Sequence, residues 1–182
     1  MENKNINDKD IKKFINDLIP PEELKPKSID EVIKLPSFYS KMQKCEKYFG
    51  KSYSELSHDI QNAVVLRRLQ QMVNTLMLNP IWKKRIEEAG LKGAPKNMEE
   101  WEKLPISDKD STTKLLMGSR PGLVVPLSYN GFEIVASGGT SSGTPAEIVY
   151  SLRELEDTYK IAGEFIGKYV LKKYLEGNEP KC

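Results

Sequence analysis

The stretch that decides the fold is "FEIVASGGTSSGTPAEIVYS", residues 132–151. Its centre, "ASGGTSSGTP" at 136–145, consists mostly of Gly, Ser and Thr, carries no charged residue and ends at a proline. Apolar and β-branched residues flank this centre, which predicts strands over "FEIVAS" and "AEIVYS". Successive glycines let a backbone approach a ligand closely, and the N–H groups and hydroxyls of such a loop can bind anions. One interpretation is therefore a phosphate-binding loop between two strands.

Two other interpretations of the loop compete with this one. The first is a connector with no ligand, because Gly, Ser and Pro are the residues that turns need. The second is a kinase-type P-loop, G-x-x-x-x-G-K-[ST], whose glycine spacing Gly138 and Gly143 reproduce. Thr144 stands where the P-loop has its lysine, and a strand rather than a helix follows. The P-loop interpretation therefore fails, whereas the connector stays open.

Composition and charge are those of a water-compatible globular chain. The 182 residues, 38% hydrophobic and 30% charged, suffice for one domain, with or without an appendage. The net charge of +2 gives no electrostatic reason to expect nucleic acid or an anionic membrane as a partner. No signal peptide or membrane-length apolar run is found, so a cytoplasmic protein is expected. Cys45, Cys182 and the single His58 form no metal-binding pattern.

Helices separated by prolines are predicted upstream of the loop. Ile11, Phe14, Ile15 and Leu18 share one helical face, and Pro20-Pro21 ends that helix. The longest helix is predicted from about Ser54 to Leu78, and a shorter one follows, with Gly90 as its C-cap. Capping signals at Ser28, Asn97, Ser107 and Ser151 predict four more helix starts. The last of these helices carries a predicted buried stripe of Leu152, Leu155, Tyr159, Ala162, Phe165, Ile166 and Tyr169.

A third strand is predicted over "GLVVPL", residues 122–127. With "EIVY" it is apolar enough to be buried on both faces, as the strands of parallel sheets are. The predicted fold is therefore α/β, with a helical N-terminal region followed by the beginning of a mixed sheet. Three strands and one covering helix are too few to close such a sheet, so an exposed strand edge and a partly exposed last helix are expected.

The loop and two upstream segments resemble a known family. "SGGTSSGTP" at 137–145 resembles the [ST]-S-G-T-T-G-x-P signature of AMP-forming adenylating enzymes, the acyl-CoA synthetase superfamily. "LQQMVNTLMLNPIWKKRIEEAGL" and then "EEWEKLPISDKD" precede it in the order seen in phenylacetate–CoA ligase-like proteins, with Trp101, Leu104, Pro105, Lys109 and Asp110 at the family's positions. The match runs from about Leu66 to Lys168. It divides the chain into a helical extension (1–53) and the N-terminal part of a ligase-like domain (54–182).

The resemblance implies ATP-dependent activation of an aryl or acyl carboxylic acid to an acyl-adenylate and then to a CoA thioester. ATP with Mg²⁺ and CoA are the implied cofactors and co-substrates. The implied ATP and pyrophosphate loop consists of Ser137, Gly138, Gly139, Thr140, Ser141, Ser142, Gly143, Thr144 and Pro145. This loop departs from the family in two ways. Three residues rather than two separate Gly139 from Gly143, and Thr144 replaces the lysine often found there.

The family's downstream motifs for Mg²⁺, ribose and the transition-state lysine are not found in the chain, so its catalytic residues are unknown. The sequence is therefore interpreted as an N-terminal fragment or a split subunit that is inactive alone. A downstream polypeptide completing the enzyme, or self-association, is the expected partner. The alternative is a non-catalytic interaction or scaffold subunit that keeps the fold while a partner carries the chemistry.

Overall fold

The computed structural model of the chain describes residues 8–104, 106, 108–129, 131–137 and 146–172. These residues are mostly helical, with a small two-stranded sheet. The helices are α1 (Asp8–Leu18), α2 (Pro21–Leu24), α3 (Ile29–Ile33), α4 (Phe38–Phe49), α5 (His58–Leu76), α6 (Pro80–Glu88), α7 (Met98–Trp101), α8 (Lys109–Leu116) and α9 (Leu152–Phe165), and the strands are β1 (Phe132–Ser137) and β2 (Ala146–Ser151). None of the described helices has the length and apolarity to cross a membrane.

The first core cluster joins α1, α4 and α5. Its buried members are Phe14, Ile15, Leu18, Ile19, Cys45, Leu56, Ile60 and Val64. The predicted face of α1 is thus confirmed, and Ile11 packs against it from a partly buried position. α1 ends at Leu18, and Pro21 begins α2 at a position where a missing N–H does no harm. The cluster contains residues from both sides of the predicted boundary at 53/54.

A buried ion pair lies beside this cluster. The Lys41 ammonium donates to the Leu18 carbonyl oxygen and to the Glu23 carboxylate, both at 2.5 Å. Lys41 is almost fully enclosed, whereas the Glu23 side chain is about a quarter exposed. The lysine thereby satisfies a carbonyl at the open C-terminal end of α1, where a cation also complements the helix dipole.

The second core cluster lies where α5 meets α6, and its buried members are Val73, Ile86 and Leu91. α6 ends as predicted at Gly90, which adopts a φ of +81°. The Gly90 N–H donates to the Glu87 carbonyl at 2.9 Å and the Leu91 N–H to the Ile86 carbonyl at 3.2 Å. This is the hydrogen-bond pattern of a Schellman motif, and it places Leu91 back on the apolar face of its own helix.

Side-chain caps begin several helices as the sequence predicts. Ser151 and Glu154 form both halves of a capping box at α9. Ser28 and Asn97 accept from the N–H groups of Glu31 and Glu100 at 3.2 and 2.8 Å. One prediction is wrong: Asp108, not Ser107, caps α8, because the Asp108 carboxylate accepts from the Ser111 N–H at 2.7 Å. Ser107 itself lies outside the described residues.

The longest helix starts later than predicted. α5 begins at His58, because Tyr53–Glu55 forms a separate 3₁₀ turn and Leu56 has an extended backbone. It ends at Leu76, close to the predicted end before Pro80. The extended Leu56 enters the first core cluster, which explains why the chain turns there before α5 starts.

The two strands beside the loop are confirmed with their predicted bounds. β1 and β2 pair antiparallel, with Phe132 opposite Ser151 and Ser137 opposite Ala146. Ile134 and Val135 are neighbours in β1 and therefore face opposite sides of the sheet, yet they are 40% and 38% exposed. Neither face of the hairpin is fully covered by the described residues. The coarse α/β description holds, with an antiparallel hairpin as its sheet.

The third predicted strand is wrong. "GLVVPL" forms turns and the start of the 3₁₀ turn Leu127–Tyr129. Its backbone carbonyls are bound by side chains from the α5–α6 region instead of a neighbouring strand. The Asn79 amide donates to the carbonyls of Pro121 and Leu123 at 2.8 and 3.0 Å, and the Trp82 indole N–H donates to the Gly122 carbonyl at 2.7 Å. These tertiary bonds replace the ladder that the apolar pattern predicts.

The prediction that α9 carries a buried stripe is also wrong. Leu152, Tyr159, Phe165 and Ile166 are all exposed, and Tyr159 is 66% exposed. This exposure agrees with the expectation that part of the last helix faces solvent. α9 is held to the N-terminal helices by polar contacts: Tyr39 donates to the Glu164 carboxylate, and Arg153 donates to the carbonyls of Ile33 and Leu35. A π-helical turn, Ile166–Leu171, continues it.

Candidate functional site

The predicted phosphate loop lies between the two strands, but most of it is outside the described residues. Ser137 ends β1, whereas Gly138, Gly139, Thr140, Ser141, Ser142, Gly143, Thr144 and Pro145 are not described. The register places Ser137 opposite Ala146. Directly paired residues in an antiparallel sheet have Cα atoms about 5 Å apart, so the loop starts and ends at nearly the same point.

An arginine lies at this end of the hairpin. The Arg120 guanidinium donates to the Glu147 carboxylate at 2.6 Å, and Glu147 stands opposite Ala136, one step from the loop. Arg120 also donates to the Gly118 carbonyl at 2.9 Å. Its Nε atom is enclosed and has no hydrogen-bond partner in the part of the chain that the structure describes. A cation is therefore fixed beside the two strand ends.

The backbone of Arg120 is strained. Its φ of +51° lies in the left-handed region, which residues with a Cβ rarely adopt and which stores about 1 kcal/mol or more. The turn is held by hydrogen bonds from the Arg120 N–H to the Met117 carbonyl at 3.1 Å and from the Gly122 N–H to the Leu115 carbonyl at 2.8 Å. Sequence reasoning did not identify Arg120, because neither the strain nor the contact with Glu147 has a local sequence signal.

The upstream segment of the resemblance is adjacent to the hairpin. Lys109 and Asp110 begin α8, which packs against β2. Trp101 and Leu104 pack against the second core cluster, and Pro105 lies outside the described residues. The bond from Ser111 to the exposed Asp108 lowers the pKa of that carboxyl. Trp101 and Leu104 thus join the helical core, whereas α8 contacts the strand that follows the loop.

No metal site is visible in residues 8–104, 106, 108–129, 131–137 and 146–172, where no three His, Cys, Asp or Glu side chains cluster. Cys45 lies in the first core cluster, and burial raises the pKa of its thiol to about 11, so it stays protonated and unreactive near neutral pH. His58 lies in the first turn of α5.

Comparisons with protein-family models, with curated proteins and with solved structures gave no match.

Proposed function

We propose that the chain binds the phosphates of ATP at residues 137–145 and takes part in the AMP-forming activation of a carboxylic acid. The observation that carries the proposal is the antiparallel pairing of Ser137 with Ala146 next to the Arg120–Glu147 ion pair. The pairing brings together the two ends of a Gly/Ser/Thr-rich segment, and the ion pair places a guanidinium beside them. Such a segment offers backbone and hydroxyl donors to an anion, and arginine adds bidentate donors.

In the proposed reaction a substrate carboxylate oxygen attacks the α-phosphorus of ATP. A bond from oxygen to phosphorus forms, the bond to the bridging oxygen breaks, and pyrophosphate leaves. A thiol, proposed to be that of CoA, then attacks the acyl carbonyl, forms the thioester and displaces AMP. The loop acts by holding the leaving pyrophosphate with donors that are oriented before the reaction.

Arg120 is proposed to contribute to phosphate binding in place of a loop lysine. Thr144 stands where the related loops often carry a lysine, so positive charge must come from elsewhere. Arg120, which Glu147 holds beside the strand ends, supplies guanidinium N–H donors, although the ion pair leaves little net charge. Mg²⁺ would supply further charge neutralisation and would enter with ATP, because the described residues offer no cluster of ligands for it.

Amide chemical shifts recorded with pyrophosphate and with ATP test the loop. We expect shifts at 137–147 and none in α1. Gly139→Val with Gly143→Val should abolish them, because side chains prevent close approach of the backbone. Gly93→Val is the matched control, since a Cβ at Gly93 meets nothing within 4 Å. Unchanged binding in the double variant, or no shifts at millimolar ligand, would refute the proposal.

Substitution of Arg120 tests the cation. We expect Arg120→Met to weaken pyrophosphate binding by roughly tenfold, the effect of one charge-assisted hydrogen bond. Arg67→Met is the control, because the Arg67 guanidinium binds the Ile19 carbonyl at 2.8 Å, a contact within the N-terminal helices. The isolated chain should show no carboxylate-dependent exchange of pyrophosphate into ATP. Exchange above that of the Gly139→Val, Gly143→Val variant would contradict this part.

A second candidate is a non-catalytic scaffold subunit, favoured by the exposed apolar side chains of the hairpin and α9. A two-stranded hairpin exposed on both faces is marginal alone, and another polypeptide would stabilise it. Sedimentation and thermal melting of the isolated chain test this candidate. A stable monomer with a sharp, high transition would argue against it, whereas self-association without any response to pyrophosphate would favour it over the ligase.

A further inference from the structure

A cleft lies between the N-terminal helices and the end of the hairpin that is remote from the loop. Its volume is about 650 Å³, within the range of small-molecule sites. The turn before α4 and the middle of α5 form one wall, and the first turns of α9 with the Phe132–Ser151 end of the hairpin form the other. Its apolar lining includes Val32, Met72, Leu76, Val125, Val149 and Ile161.

Two guanidinium groups line the cleft: Arg153, which donates to the carbonyls of Ile33 and Leu35, and Arg68, which is held in a fixed position by other contacts. Arg68 donates to the Gln71 side-chain oxygen, and Gln71, itself buried, donates to the Glu23 carbonyl at 2.8 Å. The Arg68 guanidinium carbon also lies 6.0 Å from the centre of the Phe38 ring. Burial lowers the pKa of Arg68, which shows that its charge is partly removed from water.

Arg68 has no carboxylate within 4 Å among the residues that the structure describes. Glu154 and Asp157 act on it through charge alone, and the Arg153 guanidinium opposes their effect. The Glu154 carboxylate already accepts from the Ser151 hydroxyl and N–H in the capping box. A half-buried cation without an ion pair is unfavourable, and an entering anion would compensate it.

We propose that the cleft binds a small organic carboxylate with an apolar body, whose carboxylate contacts Arg68 and whose hydrocarbon part packs on Met72, Leu76 and Ile161. A single negative charge fits better than a phosphate dianion, because the two lining cations, Arg68 and Arg153, are already balanced by Glu154 and Asp157, which would repel a second charge. The apolar lining supplies binding energy in proportion to the hydrocarbon area removed from water.

This site is separate from the phosphate loop. The cleft borders Phe132 and Ser151, whereas the loop begins at Ser137, five residue steps along β1. At about 3.4 Å per residue, the two ends of the hairpin lie about 17 Å apart. The proposed site at Arg68 therefore borders the end of the hairpin that is remote from Ser137, and the inference holds whether or not the loop binds ATP.

Calorimetry and amide chemical shifts test whether the cleft prefers a carboxylate to other polar groups. The probes are octanoate, octan-1-ol, octylammonium and inorganic phosphate. We expect octanoate to bind, with shifts at Arg68, Met72 and Ile161, and the other three probes to bind at least tenfold more weakly. Equal binding of octan-1-ol or octylammonium would overturn the proposal, because the cleft would then select for hydrocarbon alone. No binding of octanoate at millimolar concentration would also overturn it.

Three variants and a control test whether Arg68 contacts the carboxylate of octanoate. Arg68→Met should weaken octanoate binding by roughly ten- to hundredfold, and Arg68→Lys should weaken it less. Asp157→Asn should strengthen it by roughly twofold or more, because an opposing charge is removed. Lys84→Met, which removes an exposed cation of α6, should leave it unchanged. If Arg68→Met fails to fold, the Asp157→Asn result decides, and weaker or unchanged binding in that variant refutes the proposal.

Discussion

The N-terminal helices and the C-terminal hairpin with α9 differ in how their apolar residues are covered. Leu18 at the end of α1 is 0% exposed, whereas Leu171 after α9 is 48% exposed. Lys41 pairs with Glu23 in an enclosed place, whereas Lys160 pairs with Glu156 on the surface of α9. Both regions have local sequence signals that start helices, since Ser151 caps α9 at least as well as Ser28 caps α3. The difference shows that local signals suffice to form a helix but not to bury it.

The largest effect on this comparison is expected from the two leucines. Leu18→Ala should lower the free energy of unfolding by about 3–5 kcal/mol, because it leaves a cavity in the first core cluster. Leu171→Ala should change it by less than about 0.5 kcal/mol, since nearly half of that side chain is already in water. Urea unfolding of both variants measures the difference. Similar losses would mean that α9 is covered in solution by a second copy or a partner.

The two lysine pairs should give the next largest contrast. Lys41→Met should lower the free energy of unfolding by about 3 kcal/mol, because the Leu18 carbonyl and the Glu23 carboxylate lose their donor. Lys160→Met should lower it by about 0.5 kcal/mol or less, as expected for an exposed pair one helical turn apart. Thermal unfolding in low and high salt checks both, and salt should affect the Lys160 pair more. A loss below about 1 kcal/mol for Lys41→Met would contradict the buried contact.

Substitutions of the two capping serines should give a smaller difference in helix stability. Ser151→Ala should destabilise α9 by about 1 kcal/mol, because both halves of its capping box are lost. Ser28→Ala should have a smaller effect on α3, since the Glu31 carboxylate accepts from the Lys27 N–H and keeps that bond. Hydrogen exchange of the amides in each helix measures the local stability. A larger effect at Ser28 would show that the comparison of the two caps is mistaken.

The last contrast concerns the buried thiol and depends on pH. Burial raises the pKa of Cys45 from 9.0 to about 11, so the folded protein keeps a proton that the unfolded chain releases. This contribution to stability is therefore complete below about pH 9 and is lost as the pH rises toward about 11.

Denaturant unfolding of the wild type and Cys45→Ala at about pH 8 and pH 10.5 isolates this contribution. Tyr39 and Tyr53 also have raised pKa values. The difference between the two proteins cancels the effect of Tyr39 and the part of the Tyr53 effect that comes from burial, but not the smaller part that comes from the Cys45 charge. We expect the stability advantage of the wild type to shrink at the higher pH. An advantage independent of pH, or rapid labelling of the native thiol near neutral pH, would place Cys45 outside the core.

Prediction from sequence worked best where the signal is local. The Gly90 helix end and the Ser151 capping box match the structure, because neighbours in the sequence supply their hydrogen bonds. The apolar face of α1 and the bounds of both hairpin strands also match, because the spacing and type of the apolar residues predict them. It failed at "GLVVPL", whose β-branched residues suit a strand. There Asn79 and Trp82, about 40 residues upstream, bind the backbone carbonyls.

The residues of the candidate sites also differ in whether the sequence alone predicts them. The proposed phosphate loop is a sequence pattern, and its nine residues are proposed from "SGGTSSGTP" alone. Arg120 beside β2 and Arg68 in the cleft carry no such pattern. Each is identified only through residues that are distant in the sequence. Arg120 is identified by its contact with Glu147, and Arg68 by its position in a cleft that Phe38 and Asp157 also line.

By itself the sequence determined most of the helix ends, which residues make the two strands of the hairpin, and where the Gly/Ser/Thr-rich segment between them lies. These features depend on backbone propensities and on hydrogen bonds between residues a few positions apart. Only the tertiary structure decided which apolar faces are covered, that α9 is held mainly by polar contacts, and where buried cations lie. Burial and electrostatics act between atoms that are near in space, and chain folding brings those atoms together from distant positions.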